Sequence, residues 1–169
     1  MILIRAFSPD DEPLLPHFLA LAAHERDTQT VLLHPQLARY VKDWGRDGDT
    51  AVVAQNDGAD AVVGMAWARL WTHDNRGFGY VDEQTPELAV AVEPQFQGRG
   101  LGTQLIGALQ DELRAQPWVG AFVSLNVRAD SPAVRLYERL RFRRIEGSER
   151  TNRTGGVSFS MSAPLHEAN

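Results

Sequence analysis

The chain of 169 residues predicts a mixed α/β fold built around one sheet. Three observations predict it. Strand-like and helix-like segments alternate along most of the length. One segment, "PELAVAV", alternates its residues with period two, and the segment after it repeats leucine at every fourth position. Domains of roughly 100 to 200 residues are the usual folding unit, so residues 1–169 are read as one domain.

"ILIRAF" is the first predicted strand. "SPDDEPLLPHFLALAAH" follows as an apolar helix, with Ser8 or Asp10 as N-cap and prolines in its first turns. "HPQLARYVKDWG" reads as a second helix closed by Gly45. "TAVVAQ" and "AVVGMAWARLW" are strands joined by "NDGAD", where Asp57-Gly58 signals a hairpin turn. In "PELAVAV", Glu87, Ala89 and Ala91 fall on one face and Leu88, Val90 and Val92 on the other. Leu101, Leu105, Leu109 and Leu113 then form one apolar stripe of a helix that stops before Pro117. "GAFVSLNV" is another strand. "SPAVRLYERL" is a helix with Ser131 as N-cap and Pro132 at its first position, and "RFRRIE" and "GVSFSMSA" supply two more short strands.

Composition narrows the chemistry. A hydrophobic share of 43% with 23% charged residues is ordinary for a globular protein, and the net charge of -5 argues against a general binder of nucleic acid or anionic membrane. No signal peptide or membrane span is expected, and a cytoplasmic location follows from that reading. With no cysteine, disulfides, thiolate metal sites and a cysteinyl intermediate are excluded. The single lysine, Lys42, lies far along the chain from the glycine-rich loop, so no phosphate-loop GK[ST] motif exists. His17, His24, His34, His73 and His166 show no ligand spacing, and no metal is expected.

"QFQGRGLGTQL" sets Gly98, Gly100 and Gly102 at alternate positions just before the leucine-striped helix. A helix N-terminus carries unpaired amides and a dipole that favours anions, and removing side chains lets a diphosphate reach them. A plain packing turn is the competing reading of the same glycines. A dinucleotide-binding fingerprint fits poorly, because the loop is mid-chain, "EPQF" separates it from the strand, and Thr103 takes the place of a third small residue.

"ELAVAVEPQFQGRGLGTQLIGAL" resembles the signature of the GNAT superfamily of N-acetyltransferases, with Gln97, Gly100 and Gly102 matching its Q/R-x-x-G-x-G/A pattern. "LNVRADSPAVRLYERLRF" resembles the second signature of that family, and the order of elements agrees from "ILIRAF" to "SFSM". The resemblance implies a mixed, mostly antiparallel sheet flanked by about four helices, and acetyl-coenzyme A as cosubstrate. It further implies that Val90, Ala91 and Val92 pair by their backbone with the pantetheine arm. Gln97, Gly98, Arg99, Gly100, Leu101, Gly102 and Thr103 would surround the pyrophosphate, and Ser131 and Tyr137 would face the coenzyme. Ser131 stands where the family usually has asparagine, and Arg141 where it has the glycine before Phe142. Asn126 stands where members acting on ribosomal protein N-termini often carry glutamate, which disfavours that subgroup.

Acyl transfer to an amine needs a base, because an alkylammonium with a pKa near roughly 10.4 is not nucleophilic, and a proton donor for the departing thiolate. By the resemblance, Glu87 is the first candidate base, acting through water, with Asp82 and Glu83 as alternatives. Tyr137 matches the tyrosine near the coenzyme sulfur. Direct attack is expected, since no GxSxG elbow is present. The expected activity is N-acetyl transfer to a primary amine of a small molecule. A protein N-terminal or lysine acetyltransferase and a non-catalytic acyl-coenzyme A binding module are the alternatives, with a homodimer left open. Trp44, Trp67, Trp71 and Trp118 are read first as core aromatics, and Glu25 and Asp27 as a solvated loop that falls where family acceptor loops lie.

Overall fold

The computed structural model describes residues 1–166. The strands are β1 (Ile2–Ala6), β2 (Thr50–Asn56), β3 (Ala61–Arg69), β4 (Glu87–Val92), β5 (Phe122–Arg128), β6 (Arg143–Arg144), β7 (Arg150–Thr151) and β8 (Val157–Pro164). The helices are α1 (Leu15–Ala22), α2 (Thr28–Leu33), α3 (Pro35–Ala38), α4 (Leu101–Arg114) and α5 (Ala133–Arg139). The strands form one sheet in the order β1-β2-β3-β4-β5-β8-β6, with β7 also pairing β8. Among the described residues, only β4 and β5 run parallel. The fold is therefore the mixed, mostly antiparallel sheet that was expected, with five α-helices rather than about four.

Two apolar layers sandwich the sheet. On one side α4 buries Leu101, Leu105, Ile106, Leu109 and Leu113 against Leu88, Val123 and Leu125. On the other, Phe18, Leu19, Val31 and Leu37 pack on Val53, Met65, Trp67 and Ala91. The alternation along β4 sends its two residue sets to these two layers.

Several local expectations shift. The first helix begins as a 3₁₀ turn over Pro9–Leu14, where Pro13 lacks an amide to donate, and turns α-helical only at Leu15. The second predicted helix ends at Ala38. Its continuation is held instead by the buried Arg69 guanidinium, which donates to the carbonyls of Arg39, Lys42 and Asp43 and pairs with Asp49 at 2.8 Å. The β2–β3 loop covers residues 57–60, and its left-handed residue is Asp60 rather than Gly58. Helix α2 lies where a loop was expected, and Asp27 caps it by accepting from the Thr30 amide at 2.8 Å. Helix α5 starts at Ala133, one residue later than expected, while Ser131 Oγ still accepts from the Ala133 amide at 3.1 Å.

Candidate active site

Strands β4 and β5 pair at a single register point, Glu87 with Ser124, although β4 continues to Val92 and β5 to Arg128. Beyond that point they splay. The gap opens a cleft of about 1400 Å³ lined by Val90, Ala91 and Val92 on one wall and by Leu125, Asn126 and Val127 on the other. Strand backbone facing such a gap has free donors and acceptors for an extended, peptide-like guest.

At the open end stands the N-terminus of α4. Among the described residues, the amides of residues 98 to 103 donate to no backbone carbonyl or side chain. The first bonded amide is that of Gln104, to Gly100 O at 3.2 Å. Gly98 and Gly100 adopt φ of 78° and 79°, a region that disfavours side chains, and a Cβ on either would meet no atom within 4 Å. Six unpaired donors beside open space, at the positive end of a fourteen-residue helix, suit an anion.

The remaining loop residues divide their work. Gln97 Nε2 donates to Val92 O at 3.0 Å and so ties the loop back to β4. Leu101 turns into the core, and Gly102 approaches Leu136 of α5. Thr103 is exposed at the cleft. Arg99 is exposed, with its guanidinium 5.1 Å over the Phe96 ring.

Glu87 sits where the two strands meet, and only 3% of it is exposed. Three donors converge on its carboxylate. Tyr40 Oη reaches Oε2 at 2.6 Å, and Trp71 Nε1 and the Gly79 amide each reach Oε1 at 2.9 Å. Burial pushes its pKa up to about 7 against the opposing pull of these donors and of the Arg39 charge. The alternative carboxylates are engaged in loop structure. Asp82 accepts from the Gln84 amide and the Thr85 hydroxyl, and Glu83 accepts from the His73 amide at 3.0 Å.

Tyr137 lines the same cleft from α5. Its ring packs on Phe142, and its hydroxyl makes no hydrogen bond to protein among the described residues. Burial pushes its pKa up to about 12, so the phenol stays protonated through the neutral range. Ser131 and Asn126 also line the cleft. Glu25 pairs with Arg153, which also donates to the Ala23 carbonyl at 2.9 Å, and this ties the loop after α1 to the turn between β7 and β8. Trp67 donates to the Tyr40 carbonyl, Trp44 packs beside Arg69 and Phe7, and Trp118 is exposed.

Sequence reasoning missed the shell around Glu87: Tyr40, Trp71 and the loop 77–79. One signal was available, the pair of glycines in "RGFGY". A Cβ on Gly77 would overlap Glu87 Oε1 and lie 2.5 Å from Trp71 Nε1, and one on Gly79 would lie 2.8 Å from Glu87 Cδ. That loop is glycine-rich because it lies directly on the carboxylate.

A splayed parallel strand pair, an anion-receptive helix mouth and a buried carboxylate at the strands' junction thus share one cleft. The chain belongs to the acetyltransferase (GNAT) family, whose sequence model matches residues 18–142. It is 38% identical over 128 residues to a mycothiol acetyltransferase of Nocardiopsis dassonvillei, covering 73% of this chain and 36% of that protein. It is 30% identical over 151 residues to a mycothiol acetyltransferase of Acidothermus cellulolyticus, covering 83% of this chain and 44% of that one. The chain thus spans less than half the length of these relatives. Among solved structures, a phosphinothricin acetyltransferase of Sinorhizobium meliloti in complex with acetyl-coenzyme A shares the fold. Its TM-score is 0.67 with 19% identity, covering 99% of this chain and 90% of that one.

Proposed function

We propose that the chain transfers the acetyl group of acetyl-coenzyme A directly to a primary amine of a small molecule. The observation that carries this reading is the cleft itself: unpaired amides at one end, a three-donor carboxylate at the other, and splayed strand backbone between them. The amides of Gly98 to Thr103 hold the diphosphate. The backbone of Val90 to Val92 aligns the pantetheine arm, so that the thioester comes to lie near the β4–β5 junction.

Glu87 takes the proton of the acceptor ammonium through a water molecule. With its pKa near 7 about half of it is ionised at neutral pH, and the ionised form is more basic than an ordinary carboxylate. The freed nitrogen forms the new N–C bond, the C–S bond breaks, and Tyr137 supplies a proton to the departing thiolate. Its hydroxyl makes no hydrogen bond to protein among the described residues and faces the cleft, which leaves it free to donate to the developing thiolate. The Glu25–Arg153 tie beside the cleft supports a pocket for a compact acceptor over an open peptide groove, and acetyl transfer is named in both curated relatives.

The test is a panel of small amines and peptides offered with acetyl-coenzyme A, read by release of free thiol. Turnover of a small amine, lost by roughly two orders of magnitude in Glu87→Gln and reduced in Tyr137→Phe, is the expected result. Coenzyme binding with no thiol release from any amine would identify a silent binding module instead. Turnover confined to peptides would move the acceptor to proteins.

A further inference from the structure

We infer that Tyr40 is a positioning residue for Glu87, clamping one carboxylate oxygen so that its remaining lone pair serves the acceptor's proton; this rests on the reading of Glu87 as the base. The two residues lie 47 positions apart, and Tyr40 lies in the irregular segment after α3. Its hydroxyl is committed on both sides, accepting from the Phe78 amide at 2.7 Å and donating to Glu87 Oε2 at 2.6 Å. A phenol that already receives an amide proton has its own proton directed to the carboxylate.

The backbone around Tyr40 is fixed as firmly. Its carbonyl accepts from Trp67 Nε1 at 3.1 Å, and Arg69 holds the carbonyls of Arg39, Lys42 and Asp43 on either side. The ring packs edge-on against Trp71 at 5.1 Å, and only 6% of the residue is exposed. This is a rigid mount with one function-bearing atom at its tip.

The consequence lies in how the carboxylate oxygens are filled. Oε1 accepts from Trp71 and Gly79, which uses both of its lone pairs, whereas Oε2 accepts only from Tyr40. The free lone pair is therefore on Oε2, and Tyr40 sets its direction. The charged and titratable groups facing Glu87 are few. Tyr40 touches it, Arg39 lies 4.8 Å over the neighbouring Phe78 ring, and Arg69 is its cross-strand partner with its charge held by Asp49. Trp71, Gly79 and Ser124, its other neighbours, carry no charge. Among these, Tyr40 is the one donor to Oε2. Removing its hydroxyl leaves that oxygen bare in buried surroundings, which favours the protonated carboxyl.

The deciding measurement is the pH dependence of kcat/KM for Tyr40→Phe in the full chain with acetyl-coenzyme A and the acceptor found in the amine panel. Its acid limb is expected to move upward by about one to two pH units, so activity falls roughly tenfold or more at pH 7 and largely recovers near pH 9. Acetyl-coenzyme A affinity by calorimetry should stay within about twofold, as the hydroxyl bonds only Glu87 and the Phe78 amide and none of the residues of the helix mouth. A second protein carrying 3-fluorotyrosine at position 40, whose more acidic hydroxyl donates more strongly, should move the limb downward without loss of fold. A uniform loss at every pH, or an unmoved limb in the fluorotyrosine protein, overturns the assignment. If Tyr40→Phe does not fold, the fluorotyrosine limb alone decides. Glu87→Gln separates the two readings. Inactive Glu87→Gln with an unmoved Tyr40 limb rejects Tyr40 alone, whereas active Glu87→Gln with the wild-type limb rejects the base and Tyr40 together.

Discussion

Phe142 donates its amide to the Tyr137 carbonyl at 3.0 Å and packs its ring against that of Tyr137, with centroids 5.9 Å apart. The Arg141 amide bonds the Glu138 carbonyl at 3.1 Å, and together the two bonds close α5 in a Schellman turn. The turn therefore survives although arginine replaces the usual glycine, because Arg141 takes a left-handed φ of 71°. A residue with a Cβ in that region costs roughly 1 to 2 kcal/mol, and glycine gives back part of this through the entropy of the unfolded chain. Arg141→Gly should stabilise the protein by about 0.5 to 1 kcal/mol. Thermal unfolding should show a rise of roughly 1 to 4 °C, and a fall would mean that Arg141 makes contacts worth more than its strain.

Glu87 should also mark the pH dependence of stability. Its carboxyl holds its proton up to about pH 7 when folded but releases it near the ordinary glutamate value when unfolded. Between those limits the folded state binds more protons, so stability attributable to this group is present at low pH and is lost as pH rises through 7. The loss is on the order of 3 kcal/mol across that window. Urea unfolding of wild type and Glu87→Gln at pH 5 and pH 8 measures it. The gap between the two proteins should shift toward the variant at the higher pH, and a gap independent of pH would show that the carboxylate is not perturbed.

The two glycines beside the carboxylate predict a sharper outcome. A Cβ at Gly79 would lie 2.8 Å from Glu87 Cδ and 3.0 Å from the backbone carbon of Leu125, so both Glu87 and strand β5 must yield. Gly79→Ala is expected to cost about 1 to 3 kcal/mol in stability. If Glu87 is the base, displacing it by about an ångström should lower kcat by roughly a hundredfold. Acetyl-coenzyme A affinity should be nearly unchanged if the amides at the α4 mouth hold the diphosphate. Calorimetry beside steady-state kinetics separates the two effects, and equal losses in both would point to general unfolding.

The parts of this molecule that were legible in advance are those governed by local periodicity. The leucine stripe from Leu101 to Leu113 and the two faces of β4 follow from repeats of four and of two, and both reach the core layers they imply. The six-residue α2 escaped notice because "TQTVLL" is short and rich in β-branched residues, with only the Asp27 cap to announce it. The second helix was read too long because nothing near it in sequence reveals that Arg69, 26 to 30 positions on, claims its last carbonyls. The environment of Glu87 was hidden for the same reason. Its donors come from 8, 16 and 47 positions away, and pairing across such distances has no period to read.

The helix mouth yields the remaining prediction. Gly100 is the N-cap of α4 in left-handed conformation, with open space where a side chain would project. Gly100→Ala strains the backbone by roughly 1 to 2 kcal/mol and sets a methyl group beside the unpaired amides. If those amides grip the diphosphate, losing even one charge-assisted bond lowers acetyl-coenzyme A affinity roughly tenfold or more. Gly107, in the middle of the same helix with nothing within 4 Å of its missing Cβ, supplies the control. Gly107→Ala should raise stability by about 0.5 to 1 kcal/mol and leave affinity unchanged. Titration calorimetry of both variants decides the matter, because a fold-wide effect would follow stability in both proteins while a direct grip on the diphosphate would appear in Gly100→Ala alone.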